Sequence, residues 1–65
     1  MGDEPVWETI RTAPYDCDLE IAVIEADHVH PLVFACRRVA NGWVKGATRE
    51  RIVVSPTHWR PWQGG

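Results

Sequence analysis

The side chains that could do chemistry in this sequence are its histidines, cysteines, arginines and tryptophans. His28 and His30 stand two residues apart, on one side of an extended strand, as a pair of imidazole ligands would. A structural zinc site takes four ligands, usually with Cys or His at short spacings. Cys17 and Cys36 are scattered and His58 stands alone, so the set is incomplete. No metal and no cofactor is expected, and His30 reads as a charge partner of Glu25 near a hairpin end.

Cys36 with His58 would make a thiol–imidazole pair, but Cys36 falls at an apolar strand position. There a thiol's pKa rises and the sulfur is inert. Ser55 directly precedes Pro56, an N-cap arrangement rather than a nucleophile's setting. The chain carries no nucleophile elbow, phosphate loop or dinucleotide glycine pattern. A ligand cleft of roughly 300 Å³ competes with the core for a short chain. No catalytic residue is assigned and the expected function is not enzymatic.

Binding chemistry is richer. Arg37, Arg49 and Arg51 accompany Trp59, Arg60 and Trp62 in the second half, and these six residues are the candidate binding surface. Aromatics interleaved with arginine suit single-stranded nucleic acid, although no recognised nucleic-acid motif is present. The tryptophans also supply area to a small core. The net charge of −2 hides an asymmetry: residues 1–27 carry eight acids and one base, net −7, and residues 28–65 carry six bases and one acid, net +5. Either the basic half offers a surface to an acidic partner, or the two halves are strands whose charges face each other. The second reading is favoured.

These residues must be positioned by strands. In a chain of 65 residues, 45% hydrophobic and 25% charged, one domain over 1–65 is expected, with ends fraying over 1–4 and 63–65. Leu19, Ile21 and Val23 alternate with Glu20, Ala22 and Ile24, and Leu32, Phe34 and Cys36 alternate with Val33, Ala35 and Arg37. A two-residue loop at Asp27-His28 places Leu19 opposite Cys36, Ile21 opposite Phe34, Val23 opposite Leu32 and Asp18 opposite Arg37. Leu19, Ile21, Val23, Leu32 and Phe34 are then buried on one face. Cys17 and Cys36 are diagonal neighbours in this register, beyond disulfide reach, so both thiols are expected free. Asn41-Gly42 is the strongest turn dipeptide and folds Trp43–Lys45 along Arg38–Ala40, at the cost of setting Arg38 against Lys45. Arg51–Val54 reads as a further strand, and Ser55-Pro56 opens a single helical or 3-10 turn over Pro56–Arg60. Residues 5–12 read as an edge strand, with two helical turns as the alternative. The expected fold is mainly β: one small antiparallel meander of four to five strands, curled into a partly open barrel, with one short helical or 3-10 turn near the C-terminus. The curl answers a patterning problem, because both faces of the meander carry apolar residues.

The two ends together, Trp7-x-x-Ile10-x-Thr12-Ala13-Pro14-x-Asp16 and Pro56-Thr57-His58-Trp59-Arg60-Pro61, resemble a family of small bacterial and phage proteins classed as a domain of unknown function. The likeness covers about half the chain, with Cys17 where the family has Gly, and Trp62 after Pro61. It implies no activity, cofactor or catalytic residue. It does imply that the ends are linked, with Trp7 near Trp59. The excess of arginine over lysine fits a GC-rich bacterial coding sequence.

Met-Gly-Asp-Glu-Pro lacks the apolar stretch of a signal peptide, and no run is long enough to span a membrane. A cytoplasmic protein with no membrane partner is expected. The function expected is a protein-interaction module or accessory protein. The alternative is a small single-stranded nucleic-acid-binding barrel that uses the basic C-terminal half.

Overall fold

Leu19–Glu25, the longest alternating apolar run, becomes the strand on which the others are hung. The computed structural model describes residues 6–63. In chain order the elements are β1 (Glu8–Thr9), a 3-10 turn (Ile10–Thr12), β2 (Leu19–Glu25), β3 (His28–Pro31), β4 (Cys36–Val39), β5 (Gly42–Lys45), β6 (Arg51–Ile52) and β7 (His58–Pro61). They form one seven-stranded antiparallel sheet in the order β1-β7-β2-β4-β5-β6, with β3 beside β2. The fold is mainly β, as expected, and the sheet is not closed into a barrel. Frayed ends were expected over segments that, Gln63 apart, lie outside the described residues.

Three expectations are corrected. The strands number seven, because residues 32–35 separate β3 from β4 and the segment expected as a helical turn is the strand β7. The order is not a plain meander, since the last strand inserts between β1 and β2. The 3-10 turn lies at Ile10–Thr12, whereas His58–Pro61 is extended. A single capped turn satisfies few backbone groups. Extended, this segment instead pairs on both sides, with Trp59 opposite both Glu8 and Ile21. Residues 5–12 accordingly contain a short strand followed by the 3-10 turn, with Pro5 outside the described residues.

Both hairpins turn one residue earlier than expected. Leu19 does pair Cys36, but the upper ladder joins Glu25 to His28, Ile24 to Val29, Val23 to His30 and Ala22 to Pro31. The loop is Ala26-Asp27, with Ala26 at φ 53. In the expected register Pro31 would oppose Ile24 mid-ladder, where its missing N–H breaks the pairing. In the observed one it ends β3. Residues 32–35 then stand against Glu20 and Ile21 as an enlarged bulge, tied back by the Leu32 N–H donating to Ile21 O at 3.0 Å. The bulge turns Val33 out to 87% exposure.

The second hairpin turns at Ala40-Asn41, with Gly42 at φ 145. It pairs Arg38 with Trp43 and Cys36 with Lys45. The expected clash of Arg38 with Lys45 is thereby removed. A shift of two residues keeps every side chain on its intended face. Beyond Ile52 the chain leaves the sheet, so Val53 and Val54 are unpaired and β6 is shorter than expected.

The core consists of Ala13, Leu19, Ile21, Cys36 and Trp43, with Ile10, Leu32, Phe34, Ile52, Val54 and Trp59 packed against it. Leu19 and Ile21 are buried as expected, whereas Val23, Leu32 and Phe34 are half-buried, the last two within the bulge. On the opposite face Ala22 is buried between Pro31 and His58. The N- and C-terminal segments meet as their motifs implied, through β1–β7 pairing and an Ile10 N–H to Thr57 O bond of 3.0 Å. No helix among the described residues is long and apolar enough to cross a membrane.

Ile21 has no exposed surface. Truncating a buried Ile to Ala costs about 2–5 kcal/mol, comparable with the ~3–5 kcal/mol a core of this size supplies. Ile21→Ala is therefore expected to be largely unfolded in urea-free buffer. Val53→Ala, at a fully exposed position, is expected to shift stability by less than about 0.5 kcal/mol. Urea titration followed by tryptophan fluorescence checks both.

Candidate functional site

Residues opposite one another across a ladder share a face, so the pairing sorts the candidate residues. Arg60 on β7 lies opposite Glu20 on β2, and Arg37 on β4 lies opposite Val44 on β5, which in turn faces Arg51 on β6. All three arginines stand on the outer face, away from the core. Trp59 stands on the inner face, opposite Ile21.

Two of these arginines are held by acids from the first half of the chain. Arg37 Nε donates to Asp18 Oδ1 at 2.8 Å, and Arg60 Nε donates to Glu20 Oε1 at 2.8 Å. The hydrogen bond and charge of Asp18 raise the Arg37 pKa further. Asp18 opposite Arg37 is the expected pair; Glu20 finds Arg60 because β7 inserts beside β2. The charge asymmetry of the sequence is thus partly consumed by strand pairing. Gly46 makes room for the first pair: a Cβ there would lie 2.6 Å from Asp18 Oδ1.

Arg60 also stacks over the Trp7 ring, 4.2 Å from its centroid. Trp59 is half-buried, and its Nε1 donates to Thr12 Oγ1 at 3.0 Å. Trp62 is half-buried just beyond β7. Arg49 is exposed at φ 66 in the β5–β6 loop. Arg51 is exposed, and its Nη2 donates to Asn41 O at 2.7 Å. The six candidates therefore do not form one surface. Arg60 lies beside Trp7 toward one edge, Arg37 sits mid-sheet, Arg49 and Arg51 lie at the opposite edge, and Trp59 serves the core.

Arg38 and Thr57 are the polar residues that sequence reasoning missed. Arg38 Nη1 donates to Ala13 O at 2.8 Å, and its guanidinium lies 4.6 Å from the Tyr15 ring centroid. With the Asp16 N–H donating to Arg38 O at 3.1 Å, it fastens the segment before β2 to β4. The like-charge clash with Lys45 in the expected register was the signal for a different partner. Thr57 donates its N–H to Ala22 O at 2.9 Å, and its Oγ1 accepts from the Ile24 N–H at 2.9 Å.

His28 and His30 rings stack at 6.2 Å between centroids. Glu25 pairs with His28, not with His30, which faces Val23. Among the described residues no group of three or more His, Cys, Asp or Glu is placed to hold a metal. Both cysteines are free thiols, Cys17 exposed and Cys36 buried. Burial pushes the Cys36 thiol up from 9.0 to about 11, against a smaller lowering by Lys45. An open cleft of about 320 Å³ lies at the β6 edge, between the β4–β5 turn and residues 51–55.

The raised thiol pKa fixes a sign. A thiol held neutral by folding contributes stability that is complete below the unfolded pKa and is lost as pH rises through the folded one. Stability is therefore expected to fall between pH 9.0 and about 11, and Cys36→Ala is expected to flatten that fall. At pH 8 a maleimide should label Cys17 alone in the folded chain and both thiols in denaturant. Denaturation curves and labelled mass check the two expectations.

Comparison of the chain with protein-family models, with curated proteins and with solved structures gives no match.

Proposed function

We propose that this chain is a non-enzymatic protein-interaction module, an accessory protein of the bacterial and phage kind that its end motifs resemble. The observation that carries the reading is the open sheet. The described residues form one sheet with no α-helix to lay on it, and the outer face presents half-buried Ile24, Val39 and Val44 around its ion pairs. Val29, Val33 and Val53 reach solvent at its margins. Apolar surface interleaved with paired charges suits a protein partner. A cytoplasmic setting agrees with two unpaired thiols.

The alternative, a small single-stranded nucleic-acid binder, needs unpaired cations beside stacking aromatics. Arg37 and Arg60 are engaged by acids, and the Trp59 ring packs on the core. Of the four candidate arginines, Arg49 and Arg51 are the ones with no carboxylate among the described residues.

Labelled single-stranded oligonucleotides are expected to bind no more tightly than about 10⁻⁴ M at physiological salt, the weak end of non-specific binding. A protein partner recovered from bacterial extract is expected to bind the purified chain and to be lost with Val44→Glu. Oligonucleotide binding that weakens steeply with salt, or partner binding indifferent to both Val44→Glu and Val39→Glu, overturns the reading.

A further inference from the structure

Among the described residues β6 ends the sheet, with β5 on one side and no strand on the other. The Lys45 N–H donates to Glu50 O at 2.8 Å, which sets the phase of that ladder. Antiparallel pairs alternate between bonded and non-bonded. Lys45 with Glu50 and Trp43 with Ile52 are then bonded pairs, and Val44 with Arg51 is not. The backbone N–H and C=O of Arg51 consequently point away from β5, along an open edge, and Val53 follows just beyond the ladder.

Side chains mark the same edge. Trp43 and Ile52 line the cleft of about 320 Å³ beside it, and Val53 is fully exposed. Arg51 lies across the turn where Gly42 has no side chain; a Cβ there would lie 3.4 Å from Arg51 Nη2. A guanidinium has five N–H donors, and Arg51 gives one to Asn41 O. Arg37, Lys45 and Arg60 each have a carboxylate, whereas Arg51 has none among the described residues. Arg49, exposed, adds a second positive charge two residues away.

We propose that β6 is a strand-addition site for an extended acidic segment of a partner protein. The segment runs antiparallel to β6, exchanges backbone bonds with Arg51 and Val53, and sets an apolar residue opposite Ile52 and a Glu or Asp opposite Arg51. Main-chain bonds supply affinity in this mode and alternate side chains supply specificity. The shortness of β6 and the charge of Arg51 guard the edge against indiscriminate pairing, and that charge selects an acidic strand. The proposal rests on the protein-interaction reading above.

The probe is the peptide acetyl-Thr-Val-Ile-Glu-Thr-amide, titrated into the full chain and followed by backbone amide NMR shifts. The largest shifts are expected at the Arg51 and Val53 amides. Replacing the peptide's Glu with Gln is expected to weaken binding by about fivefold, the upper range for a cross-strand ion pair. Arg51→Glu is expected to invert the preference, so that a Lys peptide binds better than the Glu peptide. Val53→Pro removes the first N–H beyond β6 without touching the β5 ladder and is expected to abolish binding. If that variant does not fold, the Arg51 charge swap still decides. Equal binding of Glu and Lys peptides, shifts centred on β3 or the outer face, or no shift at millimolar peptide overturns the proposal. Partner binding that depends on Val44 while the peptide leaves Arg51 and Val53 unmoved sinks the strand-addition site and leaves the broader reading standing.

Discussion

The double pairing of β2 is the constraint on which the rest of the structure depends. Leu19 is paired on both sides, by Cys36 and by Pro61, and so is Ala22, by Pro31 and by His58. The strand is flanked by the segment that follows it and by the last segment of the chain. Its inner side chains, Leu19 and Ile21, form the centre of the core. Its outer ones, with Asp18 just before it, supply the acids that Arg37 and Arg60 meet. Both ion pairs are partly exposed, and such pairs contribute about 0–1 kcal/mol. They therefore specify register more than they stabilise. Apolar burial supplies the energy, and the part that Trp59 adds becomes available only when β7 pairs with β2 from the far end of the chain. Such non-local pairing is slow to form.

An open sheet leaves its core exposed at the ends, and two polar side chains complete those closures. At the β7 side Thr57 bonds the backbone of Ala22 and Ile24 while its own carbonyl accepts from Ile10. At the β4 side Arg38 bonds Ala13 O and stacks on Tyr15, drawing Ala13 into the core. Each closure joins residues far apart in sequence through groups that a strand alone leaves unused. A guanidinium is suited to the second because its planar fork bonds a carbonyl while its face lies on a ring. A lysine there would keep the charge and lose the geometry.

Much of this was legible in the sequence, and the remainder was not, for identifiable reasons. Alternation over Leu19–Glu25 gave the central strand, its inner face and the Leu19–Cys36 and Asp18–Arg37 partners. Alternation reports the face and not the register, so two-residue shifts passed unseen in both hairpins. Pro31 and the Arg38–Lys45 clash carried the missing information, since each is tolerable in only one of the competing registers. The end motifs gave the meeting of Trp7 with the C-terminal segment. Ser55-Pro56 misled because local capping chemistry ignores the ladders waiting on either side of His58–Pro61. The six candidate binding residues were scattered by the same effect. Arginine and tryptophan types name a chemistry, but the inserted β7 gave Arg60 to Glu20 and Trp59 to the core.

What remains for function is set by what the fold has already used. β7 occupies one flank of β2 and is itself covered by β1. β3 and β4 share the other flank, and the free side of β3 ends in Pro31, which has no N–H to offer. β6 differs from both. Its outward backbone groups at Arg51 are intact, its arginine has no carboxylate among the described residues, and Trp43 and Ile52 are among the residues that line the cleft beside it. The opposite edge has already solved the same problem internally, for there a late-arriving segment pairs by backbone and is fixed by Arg60 on Glu20. The β6 edge presents the same parts with the acidic strand missing, and a partner that supplied it would repeat on one side of the sheet what the chain does for itself on the other.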